Sequence, residues 1–209
     1  MRNLFLINFI LIIIVGCTNE LSSNKIEAKK TINLSRKAED AKLFCQNENL
    51  NTDFCVLIDM SIHSGKKRFF VWSFQENKIQ KSFLVSHGCG GNLWTSDQSK
   101  TSPKFSNEEN SHLSSLGKYK IGDRGGSIFG VNINYRLHGL DETNSNAYKR
   151  DIVFHSWEYV KDVPVYPNGT AEGWGCPAIS NNAFLELDPI LRNSAKPVLM
   201  WIFNEQNSI

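Results

Sequence analysis

Apolar positions along the 209-residue chain fall into three regimes. Leu4 to Val15 is an apolar run broken only by Asn8 and preceded by Arg2. It is too short to cross a bilayer, which takes about 20 apolar residues, and has the layout of a secretory signal. From Thr18 to about Asn51 the texture is polar and charged, with few aromatics and no sustained period, as in TNELSSNKIEAKKTINLSRKAEDAK. That composition predicts a flexible or partly helical stalk. Beyond Asn51, short apolar or alternating runs are separated by turn residues, the pattern of a mostly β domain.

Within that third regime the runs define individual elements. Cys55–Met60 reads as a first strand, and Arg68–Phe74 with Lys78–His87, joined across Gln75-Glu76-Asn77, as a hairpin. Gly117–Gly122, Ser127–Leu137, Asp151–Trp157 and Lys196–Phe203 read as further strands. Phe184, Leu185, Leu187, Ile190 and Leu191 are spaced as one face of a helix that Ser180 or Asn181 can cap. Gly88 to Ser114 is polar, with Gly90-Gly91 and Pro103; so long a stretch without regular structure inside a domain is usually functional or mobile. No repeat and no second domain is evident. The expected organisation is a signal over residues 1–16, a linker over 17–51 and one folded domain over 52–205.

Charge changes this picture little: 23 basic and 21 acidic residues leave a net charge of +2, so nucleic acid is not an expected partner. The cysteines change it more. Ile14-Val15-Gly16-Cys17 resembles the lipobox of bacterial lipoproteins, which implies that Cys17 becomes the lipid-modified first residue and anchors the chain in a membrane. Thr18, where aspartate would retain a lipoprotein in the inner membrane, points to the outer membrane with the domain facing the periplasm. An exported compartment is usually oxidising. Cys45 and Cys55 could close a ten-residue loop, worth about 3 kcal/mol on the chain-entropy model, or remain separate thiols. Cys89 and Cys176 lie in glycine-rich stretches instead.

Cys176, in AEGWGCPAIS, has four readings: disulfide partner, small buried hydrophobe, metal ligand or nucleophile. A nucleophilic thiol, with an ordinary pKa of about 8.5, needs a base. His155 is the best placed of five histidines, at the end of the apolar run IVFH, and the 21-residue interval to Cys176 is long enough to fold back. Gly173 and Gly175 permit close backbone approach, and N–H groups around Gly175 and Cys176 can form an oxyanion hole to which Pro177 cannot donate. His87, Cys89, His155 and Cys176 include the ligand types of a zinc site, but an H-x-C pair lacks the usual spacing, so no metal is expected. Pairing of Cys89 with Cys176 would make a redox-gated thiol. On these residues alone a cysteine after glycine is more often structural.

The run FHSWEYV…GWGCPAIS resembles the catalytic segment of the murein L,D-transpeptidases, in the branch whose nucleophile lies in a Gly-Cys-Pro-Ala context. CVLIDMSIHSGKKRFFVWSF, FLVSHG, SSLGKYKIG, YRLHGLDETNSNAYKRDIVFHS and KPVLMWIF follow the order of that branch, over about Asp53 to Phe203. The resemblance implies a mainly β fold with minor α: a β-sandwich or partly open barrel with a C-terminal helix packed on it. It also implies acyl transfer from peptidoglycan stem peptides through a cysteine thioester, as crosslinking or L,D-carboxypeptidase activity, without a cofactor. Cys176 matches the nucleophile, His155 the base and Gly175 the residue before the nucleophile. His87 and Ser115-Leu116-Gly117 match segments bordering the cleft and are expected beside substrate in a supporting role only. Arg150 either pairs with a carboxylate or is structural. Trp174 either walls the acyl pocket or packs, and packing is the preferred reading. The arginine that follows the cysteine in the more widespread motif is missing, and Gly173 stands where serine is frequent. The rival expectation is a non-catalytic peptidoglycan-binding lipoprotein of the same fold.

Overall fold

The structure, a computed structural model, describes residues 34–205. Among these residues eight strands form one sheet, in the order β3-β2-β1-β8-β4-β5-β6-β7. They are β1 (Phe54–Asp59), β2 (Phe69–Ser73), β3 (Lys78–Phe83), β4 (Gly117–Gly126), β5 (Ile133–Gly139), β6 (Val153–Ser156), β7 (Ala178–Ile179) and β8 (Leu199–Phe203). A helix α1 is described over 34–47 and α2 spans Asn181–Arg192.

β1 lies centrally between β2 and β8, and its sequence is apolar without alternation because both of its faces are covered. Val56 and Ile58 enter the main core, with Phe69, Val71, Tyr119, Leu137, Phe154 and the α2 residues Phe184, Leu187 and Leu191. Cys55 and Leu57 join a second core on the opposite face, built with Phe70, Trp72 and Leu199 and closed by Leu34, Ala38, Ala41 and Cys45 of α1.

The linker expectation is corrected at its C-terminal end. Leu34, Ala38, Ala41 and Cys45 recur every three or four residues and are buried, the stripe of an amphipathic helix. Arg36, Glu39, Asp40 and Lys42 are exposed and supply the charged texture. The packed domain therefore includes residues from Leu34 onward. Cys45 and Cys55 are buried free thiols in that second core, not a disulfide. Burial pushes the Cys45 pKa up to about 12 and that of Cys55 well above its usual range, so both act as small apolar groups. Cys17 lies outside the described residues.

The expected hairpin is β2–β3, but β3 stops at Phe83, short of His87. The chain beyond it crosses to the other edge of the sheet, where Ser86 N–H donates to Ala178 O at 2.9 Å and Ala178 N–H to Ser86 Oγ at 3.0 Å. The sheet is thereby curled almost into a barrel. Ser127–Leu137 is strand only from Ile133: Gly130 and Asn132 take left-handed conformations, φ 55° and 60°, Ser127 N–H closes the turn onto Asn132 O at 3.0 Å, and Ile128 is 87% exposed.

α2 begins as expected, with Ser180 Oγ accepting from Ala183 N–H at 3.2 Å. Its buried face is Ala183, Phe184, Leu187, Asp188 and Leu191, whereas Leu185, expected on that face, is 53% exposed. Asp188 is held by Arg124 Nε at 2.7 Å and Tyr135 O–H at 2.7 Å, which ties the helix to β4 and β5. Replacing Phe184, buried against Phe154 at 5.2 Å, by alanine should cost about 3–5 kcal/mol. Leu185→Ala should stay within about 0.5 kcal/mol. Denaturant unfolding of both variants checks the assignment, which comparable losses would contradict.

Candidate active site

β7 is two residues long, yet it sets the geometry of the site. It pairs in parallel with β6 through His155↔Ala178 and Ser156↔Ile179, so Cys176 lies two residues upstream of the strand partner of His155. Cys176 and His155 line one cavity of about 230 Å³, together with Ser86, Phe129, Trp157 and Trp174. The two residues singled out for chemistry therefore share a site.

His155 is buried, and its Nδ1 lies 2.8 Å from Ser156 O. A carbonyl only accepts, so this bond requires the proton on Nδ1 and leaves the Nε2 lone pair available as a base. The ring packs on Phe129 with centroids 5.2 Å apart. Burial lowers the His155 pKa, opposed by the Ser156 bond and the Glu158 charge, so the imidazole is neutral at neutral pH. Cys176 Sγ accepts from Val153 N–H at 3.4 Å and lies 3.9 Å from Asp151 O, toward which its S–H points. Burial raises its pKa, opposed by Val153 N–H and the charges of Arg150 and Arg136. The cavity thus holds a thiol and a neutral imidazole at rest.

Gly175 has φ 103°, and a Cβ there would stand 2.6 Å from Leu113 O. Only glycine fits this close crossing, which Ser114 secures by donating to Gly175 O at 3.1 Å. Arg150 borders the same cavity, but its guanidinium donates to Ser106 O (2.9 Å), Ser115 Oγ (2.6 Å), Leu113 O (2.6 Å) and Ser111 Oγ (3.3 Å). None of these is a carboxylate: Arg150 clamps the 106–115 segment and leaves its charge near the sulfur.

Four expectations need correction. His87 is fully buried away from the cavity. Its Nδ1 lies 2.8 Å from Arg68 Nη2, which only donates, so Nε2–H donates to Ser99 Oγ at 2.8 Å. Burial and the Arg68 charge hold His87 neutral, well below its usual pKa, and with both nitrogens engaged it is not a substrate or zinc ligand. Ser115 is buried under Arg150 and donates to Ser106 O at 2.9 Å. Gly117, φ 131°, faces Asn144, whose Nδ2 would be 2.7 Å from a Cβ; both residues support the cleft without lining it. Trp174 is not packed into the core: it is 61% exposed, walls the cavity and stacks only on the partly exposed His112, with centroids 5.0 Å apart.

Glu172 was not singled out from sequence. Fully buried, its Oε1 accepts from Ser99 N–H at 2.6 Å and Ser99 Oγ at 2.9 Å, and its Oε2 from Ser96 Oγ at 2.9 Å and Asn92 Nδ2 at 3.4 Å. Through Ser99 it continues to His87 and Arg68, whose own pKa burial pulls down to about 9 against the Asp59 and Glu172 charges. The polar stretch after Gly88 is thus an ordered wall bolted to the segment that leads into Cys176. The available signal was Asn92, Ser96 and Ser99 spaced through one polar stretch, and Glu172 as a lone acid among glycines elsewhere in the chain. Among the described residues no group of three His, Cys, Asp or Glu side chains is arranged to hold a metal ion.

The L,D-transpeptidase catalytic domain family model matches residues 25–201, and the chain belongs to that family. No curated protein sequence matches the chain. Solved structures similar to it include Bd1075 of Bdellovibrio bacteriovorus, 14% identical with a TM-score of 0.45 over 75% of this chain and 49% of that one. An L,D-transpeptidase from Xylanimonas cellulosilytica is 10% identical, TM-score 0.41, over 72% and 60%. One from Mycobacterium smegmatis is 12% identical, TM-score 0.43, over 72% and 58%. The chain therefore aligns with about half to three fifths of the length of these proteins.

A raised thiol pKa beside a neutral imidazole has a kinetic signature. The alkylation rate of Cys176 by iodoacetamide, taken as wild type minus Cys176→Ser, should keep rising past about pH 8.5, the ordinary thiol value. A rate already at its plateau at neutral pH would indicate a preformed ion pair instead.

Proposed function

We propose that this protein is a cysteine-dependent L,D-transpeptidase acting on peptidoglycan tetrapeptide stems. The observation that carries the reading is the shared cavity of Cys176 and His155, with the His155 tautomer fixed by Ser156. Cys176 Sγ attacks the carbonyl of the third stem residue while His155 Nε2 takes the thiol proton. The tetrahedral intermediate collapses as the imidazolium returns that proton to the departing amine of the terminal D-amino acid, leaving a thioester on Cys176. The N–H groups of Gly175 and Cys176 are the candidate oxyanion donors. An amine of a neighbouring stem, or water, then enters, loses its proton to His155 and releases the thiol. Sulfur and imidazole supply every step, so this scheme requires no cofactor.

In the same reading Cys17 carries lipid and holds the domain at the outer membrane, facing the periplasm. With the more widespread arginine missing after Cys176 and Arg150 committed to the 106–115 segment, the donor stem's carboxylate is recognised by groups outside the usual motif.

Purified protein incubated with muropeptides and analysed by mass spectrometry should release the terminal D-amino acid, and Cys176→Ala should abolish this. His155→Gln should lower kcat by roughly 10²–10⁴-fold, the range of a lost general base. Turnover that persists in Cys176→Ala would sink the mechanism. Binding of muropeptides without turnover, by a Cys176 inert to an acylating β-lactam, would favour the non-catalytic wall-binding alternative.

A further inference from the structure

The cleft carries more exposed aromatic surface than an acyl-transfer site on a short peptide requires. Trp94, Tyr159 and Trp174 are 45%, 49% and 61% exposed, and their rings form one connected surface. Trp94 neighbours Trp174 at 6.2 Å, Tyr159 at 6.3 Å and the buried Trp157 at 5.4 Å, and Trp157 neighbours Tyr159 at 5.3 Å. His112 extends the surface beneath Trp174 at 5.0 Å. Trp94, Trp157 and Trp174 also line the cavity that holds Cys176. The aromatic shelf is therefore continuous with the nucleophile's cavity.

This surface is held rigidly. Trp94 lies between Asn92 and Ser96, both bonded to the Glu172 carboxylate, and Thr95 N–H donates to Glu172 O at 3.0 Å. Thr95 sits at φ 68°, a left-handed conformation that β-branched residues avoid. His112 is fixed where its carbonyl accepts from Gly90 N–H at 3.1 Å. A chain that keeps three large rings in water on a braced frame has an exposed patch of the kind that marks a binding site.

The chemistry of the rings selects the occupant. A stem peptide offers methyl groups, carboxylates and amines, none broad enough to cover neighbouring indole faces. A second cavity that Trp174 borders, about 310 Å³, is polar rather than aromatic, lined by the ion pair of Glu109 with Lys149 and by Asp151, which pairs with Arg136. A pyranose ring instead presents a flat face of C–H groups with its hydroxyls at the rim. Those C–H groups carry the positive charge that the negative face of an aromatic ring attracts. Neighbouring rings are tilted by 31° to 66° to one another, so they form a faceted rather than flat surface.

We propose that Trp174, Trp94 and Tyr159 form a subsite for the sugar rings of the glycan strand, so that the donor is recognised as a sugar-bearing muropeptide. The location of this subsite beside the reacting peptide rests on the acyl-transfer reading above; its preference for sugar does not.

A β-1,4-linked N-acetylglucosamine tetramer, which has no peptide, separates the two. Calorimetric titration of the full chain should show binding that Trp174→Ala weakens about tenfold, the scale of one lost aromatic contact. Tyr159→Ala should also weaken it, Trp174→Phe should keep most of the affinity, and Cys176→Ala should bind as wild type does. In turnover, the KM for a disaccharide-tetrapeptide should lie about tenfold below that for the free tetrapeptide. Tetramer binding lost in Trp174→Ala, with no turnover of either substrate, would contradict acyl transfer and uphold the subsite. Turnover with equal KM values and no tetramer binding would overturn the subsite and leave acyl transfer intact. If Trp174→Ala instead abolished adsorption to phosphatidylethanolamine–phosphatidylglycerol vesicles, or a dimer in sedimentation, without changing tetramer affinity, the rings would belong to a lipid or second-copy contact and the proposal would fail.

Discussion

The parallel pairing of β7 with β6, only two residues long, is the constraint on which the site depends. Through His155↔Ala178 it brings a cysteine into the cavity of a histidine 21 positions earlier in the chain. It is supported from both sides. Ser86 bonds Ala178 from the far edge of the curled sheet, and Ser156, the other β6 residue in the pairing, supplies the carbonyl that fixes the His155 tautomer. Losing the register would displace the sulfur from the imidazole's cavity and open the sheet at the same point.

Around this seam the protein buries charge and polarity where they lock loops in place. Glu172 holds the 92–99 wall with four hydrogen bonds, and Arg150 holds the 106–115 segment with four more. A charge taken out of water is tolerated only when its bonding capacity is met, and here the fully buried Glu172 and the half-buried Arg150 are met by loop backbone groups, hydroxyls and the Asn92 amide. The two charged groups tie down the loops that border the cavity of Cys176 and His155.

The sequence was most legible where one physical rule dominated. β1 and β8 read as strands because they are apolar throughout, and the Ser180-capped helix because its apolar spacing was regular. Cys176 and His155 were singled out because a glycine-flanked thiol and a strand-borne imidazole are chemically conspicuous, and the fold brings them to one cavity. α1 was hidden because its stripe consists largely of alanine and cysteine within charged sequence. Leu185 was put on the wrong face because a hydrophobic residue near a stripe does not reveal its angle on the helix. His87, Ser115 and Gly117 stood in segments that border the cleft, but linear order cannot show which side of a segment a side chain takes. Arg68 and Glu172, distant in sequence, decided the place of His87.

The central claim is that an acyl group passes through Cys176 Sγ. Acid-quenched protein from a reaction with tetrapeptide substrate, measured intact and then mapped by peptide mass spectrometry, tests it most directly. The account predicts a mass gain equal to the stem without its terminal residue, placed on Cys176 and removed by hydroxylamine. An acyl group on another residue, or undiminished release of the terminal D-amino acid after Cys176 has been alkylated, would contradict it.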